Sequence, residues 1–195
     1  MPYVNIHTHR PTGVDIEPSS IGLHPWDAGK EPFNADDFIA RAAAVQAVGE
    51  IGLDFLRGGN RKQQEDVLRL QLKAAEMLCK PVILHCVKAF EPMMKIVKEY
   101  RLPAVVFHGF TGSPQQAARA VGEGYFLSFG ERVIRSPKAT ESLRMTPNEN
   151  LFLETDDAEL GIADIYSFAA GVRGTTVETL QDVILKNYNK IFSKE

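Results

Sequence analysis

The chain has 195 residues, 44% of them apolar, with 22 Lys and Arg against 25 Asp and Glu for a net charge of −3. That is enough chain for one domain (1–195) with a sizeable core, in the proportions of an ordinary water-soluble protein. It excludes bulk attraction of nucleic acid by a global basic surface, and the apolar runs are too short to span a bilayer. The opening MPYVNIHTHR lacks the basic-then-apolar pattern of a signal peptide. Cys79 and Cys86 each fall in an apolar element and read as reduced core thiols rather than a disulfide framework. The expected setting is a cytoplasmic monomer with no membrane partner.

In chain order, short apolar runs alternate with amphipathic ones. Strands are predicted at 3–7 (YVNIH), 19–24 (SSIGLH), 45–50 (VQAVGE), 82–86 (VILHC), 104–108 (AVVFH), 125–129 (YFLSF) and 151–155 (LFLET). Such brevity and apolarity suit strands buried on both faces. Between 3–7 and 19–24, the stretch 11–18 (PTGVDIEP) has two prolines, a glycine and no helical period, and reads as a loop. Helices are predicted at 61–79, where Val67, Leu68, Leu70, Leu72, Ala75, Leu78 and Cys79 recur at near-helical spacing, and at 88–100. A third is predicted at 115–122, with Ser113 as cap and Pro114 in the first position. Helices at 159–171 and 176–192 close the chain. The alternation predicts an α/β fold with a parallel sheet covered by helices.

The five histidines and two carboxylates decide between an open sheet and a barrel. His7 and His9 end the first strand, His24 the second, His85 and His108 the fourth and fifth, while Glu50 and Asp156 close the third and seventh. Strand ends converge on one point in a TIM-like (β/α) barrel, whose site is built at that face. The expected architecture is therefore a TIM-barrel-like fold, shortened or distorted, with about seven parallel strands.

Residues two apart in a strand share a side, so His7 and His9 can reach one ion. A lone His-x-His would equally fit a polar terminal strand; four similar strand ends argue for a metal. Glu50, in VGEIGLDF, is a carboxylate that burial makes costly unless it is paired or metal-bound. Its two oxygens suit a bridge between cations, and Gly49 and Gly52 permit close backbone approach. His85 and His108 share one design: an apolar strand, a terminal imidazole, then a loop and helix. Either alone would read as a satisfied core histidine; together they suit a second metal. Asp156 sits among three acidic residues, with Glu154 on its side of the strand as partner to a metal-bound histidine. Asp54 reads as an outer or loop-forming carboxylate. His24 is surplus to two ions and is assigned to substrate, although a loop histidine packed on Trp26 would read the same. Four imidazoles favour Zn over Mg or Mn for the one or two divalent ions.

The segments IHTHR, IGLHPW, VGEIGLDF, PVILH, VVFHGFTGS, YFLSFGE and LFLETD, in that order over most of the chain, resemble the TatD-type metal-dependent hydrolases of the amidohydrolase superfamily. The resemblance implies a TIM-like barrel, a divalent metal site and deoxyribonuclease or phosphodiesterase activity on a nucleic-acid or small-molecule phosphodiester. It assigns His7, His9, Glu50 and Asp156 to one metal, Glu50, His85 and His108 to the other, and His24 to the substrate side. Three departures stand out. Only eleven residues separate Arg10 from Gly22, where the family has a helix, a strand and a helix. The family's arginine after the fourth-strand histidine is Val87 here, with Lys88 next, and its Ala-Pro after the aspartate is Asp157-Ala158. Phosphate contact then falls to Lys88 and Arg135, with Arg57 and Arg132 also in reach of the role.

Asp156 is the expected catalytic base, taking a proton from metal-activated water. Two further readings are weighed. Hydrolysis of an amide, lactone or other small carbonyl compound would use a modified lysine between the metals, and no predicted strand ends in lysine. A non-catalytic metal-binding protein would explain the shortening but not the crowding of these groups.

Overall fold

The computed structural model describes residues 1–192. They gather into two compact units, Ser19–Val106 and a second one made of Met1–Pro18 with the chain from Phe107 onward.

The Ser19–Val106 unit is built on three parallel strands. β1 (Ser20–Ile21) pairs with β2 (Ala47–Asp54) through Ser20↔Ala47 and Ile21↔Val48. β2 pairs in turn with β3 (Val82–Val87) through Val48↔Val82 and, beyond a register shift, Ile51↔Leu84 to Asp54↔Val87. Helices α1 (Ala35–Ala43), α2 (Arg61–Met77) and α3 (Phe90–Val97) alternate with them. Asn34 and Asn60 cap α1 and α2, their side-chain oxygens accepting from Asp37 N and Lys62 N, which satisfies N–H groups a helix start leaves unpaired. Val48, Ile51, Leu53, Ile83 and Leu84 are buried with Leu68, Leu72 and Ala75 of α2 and Met93 of α3. The period-3.6 stripe read from 61–79 is thus the buried side of α2.

In the second unit, β5 (Phe126–Phe129) and β6 (Leu151–Leu153) are parallel, with Leu127↔Leu151 and Phe129↔Leu153 opposed. Helix α4 (Pro114–Gly122) begins with a full capping box, Ser113 accepting from Gln116 N while the Gln116 side chain accepts from Ser113 N. Helices α5 (Pro137–Met145), α6 (Ile162–Arg173) and α7 (Val177–Phe192) complete it. Tyr166 of α6, fully buried, donates its hydroxyl hydrogen to Val4 O and ties down the N-terminal segment. β4 (Val105–Phe107) lies where the chain passes from one unit to the other.

Six strands form among the described residues, and the predicted run 3–7 differs from them. It is extended but held by isolated parallel bridges, Val4↔Ile16 and Thr8↔Asp156, because bends on either side of Thr8 interrupt a ladder. Residues 11–18 form no helix and return directly toward β1. Helices α1 and α5 were not predicted, since their apolar stripes are only two or three residues deep. Cys79 corrects the sequence reading: it is exposed, with φ of 49° just past α2, while Cys86 is half-buried; both are free thiols.

Gly52 faces His85 across the β2–β3 pair, and a Cβ there would meet His85 O at 1.9 Å. Gly49 meets Ile83 Cβ at 2.6 Å in the same way. We therefore expect Gly52→Ala to lower unfolding free energy by about 2 kcal/mol or more, the scale of overpacking in a tight interior. Urea titration of both proteins checks this, and an unchanged midpoint would contradict the close approach.

Candidate active site

The segment Ile6–His9 lies alongside the end of β6. Ile6 N donates to Leu153 O (3.2 Å), Asp156 N to His7 O (3.0 Å) and His9 N to Asp156 O (3.0 Å). Asn5 clamps the same place, its amide accepting from Thr155 N and donating to Thr155 Oγ1, each at 2.9 Å. These bonds carry both imidazoles to one carboxylate: Asp156 Oδ1 is 3.4 Å from His9 Nε2 and 3.7 Å from His7 Nε2. Asp156 itself has φ of 56°, a left-handed turn that ends β6.

His108, at the end of β4, stacks edge-on against His7 with ring centres 4.6 Å apart. Its Nδ1 lies 3.2 Å from Glu154 Oε1, which also accepts from Gly109 N at 2.6 Å. Burial would push the Glu154 carboxyl up, but the facing His108 and His7 imidazoles prevail and hold it below the usual range. Glu154 Oε2 is buried and makes no hydrogen bond among the described residues. His108, Glu154 and Asp156 place one donor atom each within 4.8 Å of one another. A cleft of about 40 Å³ opens beside them, lined among others by Thr111, Arg132, Glu154 and Asp156.

In the Ser19–Val106 unit, β2 and β3 present Glu50, Asp54 and His85, and the turn after β1 adds His24 and Trp26. Glu50 Oε1 lies 2.6 Å from His85 Nδ1 and 3.2 Å from His24 Nε2, and the three residues form a second donor cluster. The other nitrogen of each imidazole is engaged. His85 Nε2 faces Asp54 Oδ2 at 3.3 Å, and His24 Nδ1 accepts from Trp26 N at 3.2 Å. For His24 this fixes the tautomer: with Nδ1 accepting, the proton rides on Nε2, toward Glu50. In that form His24 is a hydrogen-bond donor rather than a ligand. His85 faces a carboxylate from each nitrogen, Glu50 Oε1 from Nδ1 at 2.6 Å and Asp54 Oδ2 from Nε2 at 3.3 Å, and a carboxylate behind one imidazole nitrogen is the arrangement common behind metal ligands.

Asp54 is the best-held group in this unit. Its Oδ1 accepts from Leu56 N and Arg57 N (both 2.8 Å), and its Oδ2 from Trp26 Nε1 (2.7 Å). The buried Gln64 of α2 fixes its backbone, donating to Asp54 O and accepting from Asp54 N. Burial opposes ionisation, but these donors outweigh it and set the carboxyl below its ordinary value of 3.8. Gln64 and Trp26 are the residues the sequence reading passed over in this role; a Gln on the core side of a polar helix was the available signal for the first.

Both groups suit a divalent transition ion. Imidazoles and carboxylates converge, and a buried carboxylate oxygen at Glu154 stands without a hydrogen bond. Burial pushes the half-buried Cys86 thiol up to about 12, so it supplies no thiolate. The predicted phosphate contacts lie at the surface. Lys88 is exposed just after β3 with φ of 52°. Arg135 reaches Glu131 at 3.4 Å, while Arg132 lines the cleft beside Asp156.

A family model described as TatD related DNase matches residues 18–193. The human deoxyribonuclease TATDN3 is 32% identical over 164 residues, 76% of this chain and 60% of that protein. The 3'-5' ssDNA/RNA exonuclease TatD of Escherichia coli (strain K12) is 33% identical over 147 residues, 71% of this chain and 56% of that protein. The matches thus span little more than half the length of these relatives. Among solved structures, YJJV, a TatD homologue from Escherichia coli K12, has a TM-score of 0.78 at 29% identity, covering 92% of this chain and 78% of that one. A TatD-family hydrolase from Entamoeba histolytica has a TM-score of 0.79 at 16% identity over 93% of this chain and 77% of its own, a likeness of fold alone. The expected α/β, TIM-barrel-like class accords with both. No helix among the described residues is long and apolar enough to cross a membrane.

Asp54 has a consequence for acid stability. A carboxyl held low in the folded state adds stability that is fully present above its unfolded value, near 3.8, and is lost as pH falls through the folded value. We expect Asp54→Asn to be less stable than wild type at neutral pH and the gap to close in acid. Melting temperatures across the acid range check this; a gap independent of pH would contradict it.

Proposed function

Because the chain belongs to the TatD-related DNase family, we propose that it is a metal-dependent hydrolase of phosphodiester bonds, acting on single-stranded nucleic acid or its fragments. The observation that carries this reading is Asp156, its Oδ1 held against His7 and His9 at the end of β6 with a cleft beside it. The names of the relatives TATDN3 and TatD supply the substrate class.

In this reading His7, His9, His108 and Asp156 of one unit, and Glu50 and His85 of the other, would hold the one or two divalent ions, Zn before Mg or Mn for residues this rich in imidazole. Such an ion, when bound, lowers the pKa of a coordinated water toward neutrality. Asp156 takes the water's proton on a carboxylate oxygen and returns it to the departing alkoxide oxygen. Glu154 and Asp54 keep His108 and His85 oriented. His24, as an Nε2 donor, contacts substrate rather than metal. Arg132, lining the cleft beside Asp156, and the exposed Lys88 and Arg135 are the cations offered to the phosphate. Free Cys79 and Cys86 suit a reducing compartment, in keeping with a cytoplasmic enzyme.

Turnover of bis(p-nitrophenyl) phosphate and a single-stranded oligonucleotide, with Zn, Mn or Mg added in turn, tests the proposal. Asp156→Asn preserves shape but removes the basic oxygen, so kcat should fall by about a thousandfold, within the usual range for a general base. Wild-type activity in that variant would refute the mechanism. His24→Ala should raise KM while metal content, read by elemental analysis, stays at the wild-type level. Loss of metal from His24→Ala would make His24 a ligand.

A further inference from the structure

We propose that Trp26 and Arg57 form a nucleobase-stacking subsite in the Ser19–Val106 unit, an assignment that rests on the phosphodiesterase reading above and names how its substrate is recognised. Trp26, the only tryptophan in the chain, follows Pro25 in the short helical turn after β1. Although it is anchored, 39% of its surface is exposed. Its indole N–H is committed to Asp54 Oδ2 at 2.7 Å, its ring lies edge-on to His24 at 4.6 Å between centres, and His85 follows at 6.1 Å. One edge of the indole is therefore built into the donor cluster, and part of the ring is open to solvent beside it.

Arg57 marks the use of that exposed surface. Its guanidinium lies over the indole, 5.2 Å from the ring centre. The Arg57 backbone is fixed, N–H to Asp54 Oδ1 at 2.8 Å and carbonyl to Gln64 Nε2 at 3.1 Å, but its side chain is exposed. Next to it, Arg61 lies over the Phe55 ring at 4.4 Å. Two aromatic–guanidinium couples thus stand close together in the chain, and the indole of the first touches His24 and His85 of the donor cluster. Surface Arg–aromatic pairs are common by themselves. What sets this one apart is that the same indole holds a carboxylate facing His85.

Aromatic faces interleaved with cations are how proteins hold single-stranded nucleic acid without reading its sequence, because every base offers a π-face. The base takes the indole face that Arg57 now covers, and Arg57, freed by its flexible side chain, turns to the adjoining phosphate. Recognition is then of a stacked base plus a phosphate, and it tolerates any base.

The single tryptophan makes the test direct. Wild-type protein is titrated with a short phosphorothioate oligothymidine, which resists hydrolysis, and with an abasic oligomer of the same length and charge, while indole fluorescence is followed. Saturable quenching by oligothymidine, with the abasic oligomer binding about tenfold or more weaker, is expected from the loss of one stacked base. Equal affinities for the two oligomers, or no change in fluorescence on binding, would overturn the proposal. Trp26→Leu should lose the tenfold preference, read by anisotropy of a labelled oligomer, and Trp26→Phe should keep most of it. Should Trp26→Leu fail to fold, Arg57→Ala and the wild-type titrations still decide, Arg57→Ala being expected to weaken both oligomers alike by severalfold. The two readings fail separately. Base-dependent quenching without turnover of any phosphodiester would sink the enzyme and keep the subsite. Turnover with base-independent binding would do the reverse.

Discussion

A carboxylate taken out of water must be met by hydrogen-bond donors or positive charge, and in this protein that requirement organises the ends of the strands. Asp54 shows it most fully. Backbone amides of Leu56 and Arg57, the Trp26 indole and the His85 imidazole all face its two oxygens. Meeting that demand bends the chain after β2 into a tight loop, whose backbone Gln64 of α2 also holds, and seats the turn that carries Trp26. Glu154 poses the same problem with fewer donors. Gly109 N and His108 satisfy one oxygen and leave the other without a hydrogen bond. An uneven arrangement of this kind is tolerable where a cation can complete it, and that is why the donor sets read as metal ligands rather than as structural ion pairs.

The tautomers follow from the same pairing. A neutral imidazole has one N–H, so fixing a partner at one nitrogen decides what the other can do. His24 has a backbone donor at Nδ1 and so offers a proton at Nε2. His85 has a carboxylate at each nitrogen, Glu50 at Nδ1 and Asp54 at Nε2. Two histidines within reach of one Glu50 oxygen are thereby distinguished by what stands at their other nitrogen, a backbone N–H for His24 and a carboxylate for His85. This supports the separate role given to His24 on the simple ground that two ions already had enough ligands.

Most strand positions were legible as short apolar runs closed by an imidazole or a carboxylate, 125–129 by its apolarity alone, the helix from 61 by its stripe, and the helix 114–122 because stripe and cap agree. The close approach at Gly49 and Gly52 was legible from their flanking of Glu50. The run at 3–7 was misjudged in kind. Composition reports that YVNIH is extended, but whether it forms a ladder depends on bends around Thr8 and on Asn5, whose side chain takes the place of a backbone pair at Thr155. Helices α1 and α5 escaped because a stripe of two or three small or single apolar residues carries little period. The thiol at Cys79 looked buried because it continued the stripe of α2; the helix ends at Met77 and a left-handed turn carries the residue out to solvent.

Trp26 lay outside the reach of sequence reasoning for a different reason. An aromatic beside a histidine reads equally as packing, and only the direction of its N–H and the exposure of the rest of the ring separate the two. The same distinction bears on how a chain with eleven residues between Arg10 and Gly22 would carry out the proposed chemistry. In the proposed mechanism, proton transfer would depend on groups fixed by strand ends and backbone bonds: Asp156 by His7 and His9, His85 by the register that sets it opposite Gly52. Substrate selection would depend on side chains carried by turns, Trp26 after β1 and Arg57 after β2, which strand register does not constrain. On that reading, a shortened connection would alter which molecule is held, through the second set, before it altered what is done to it, through the first.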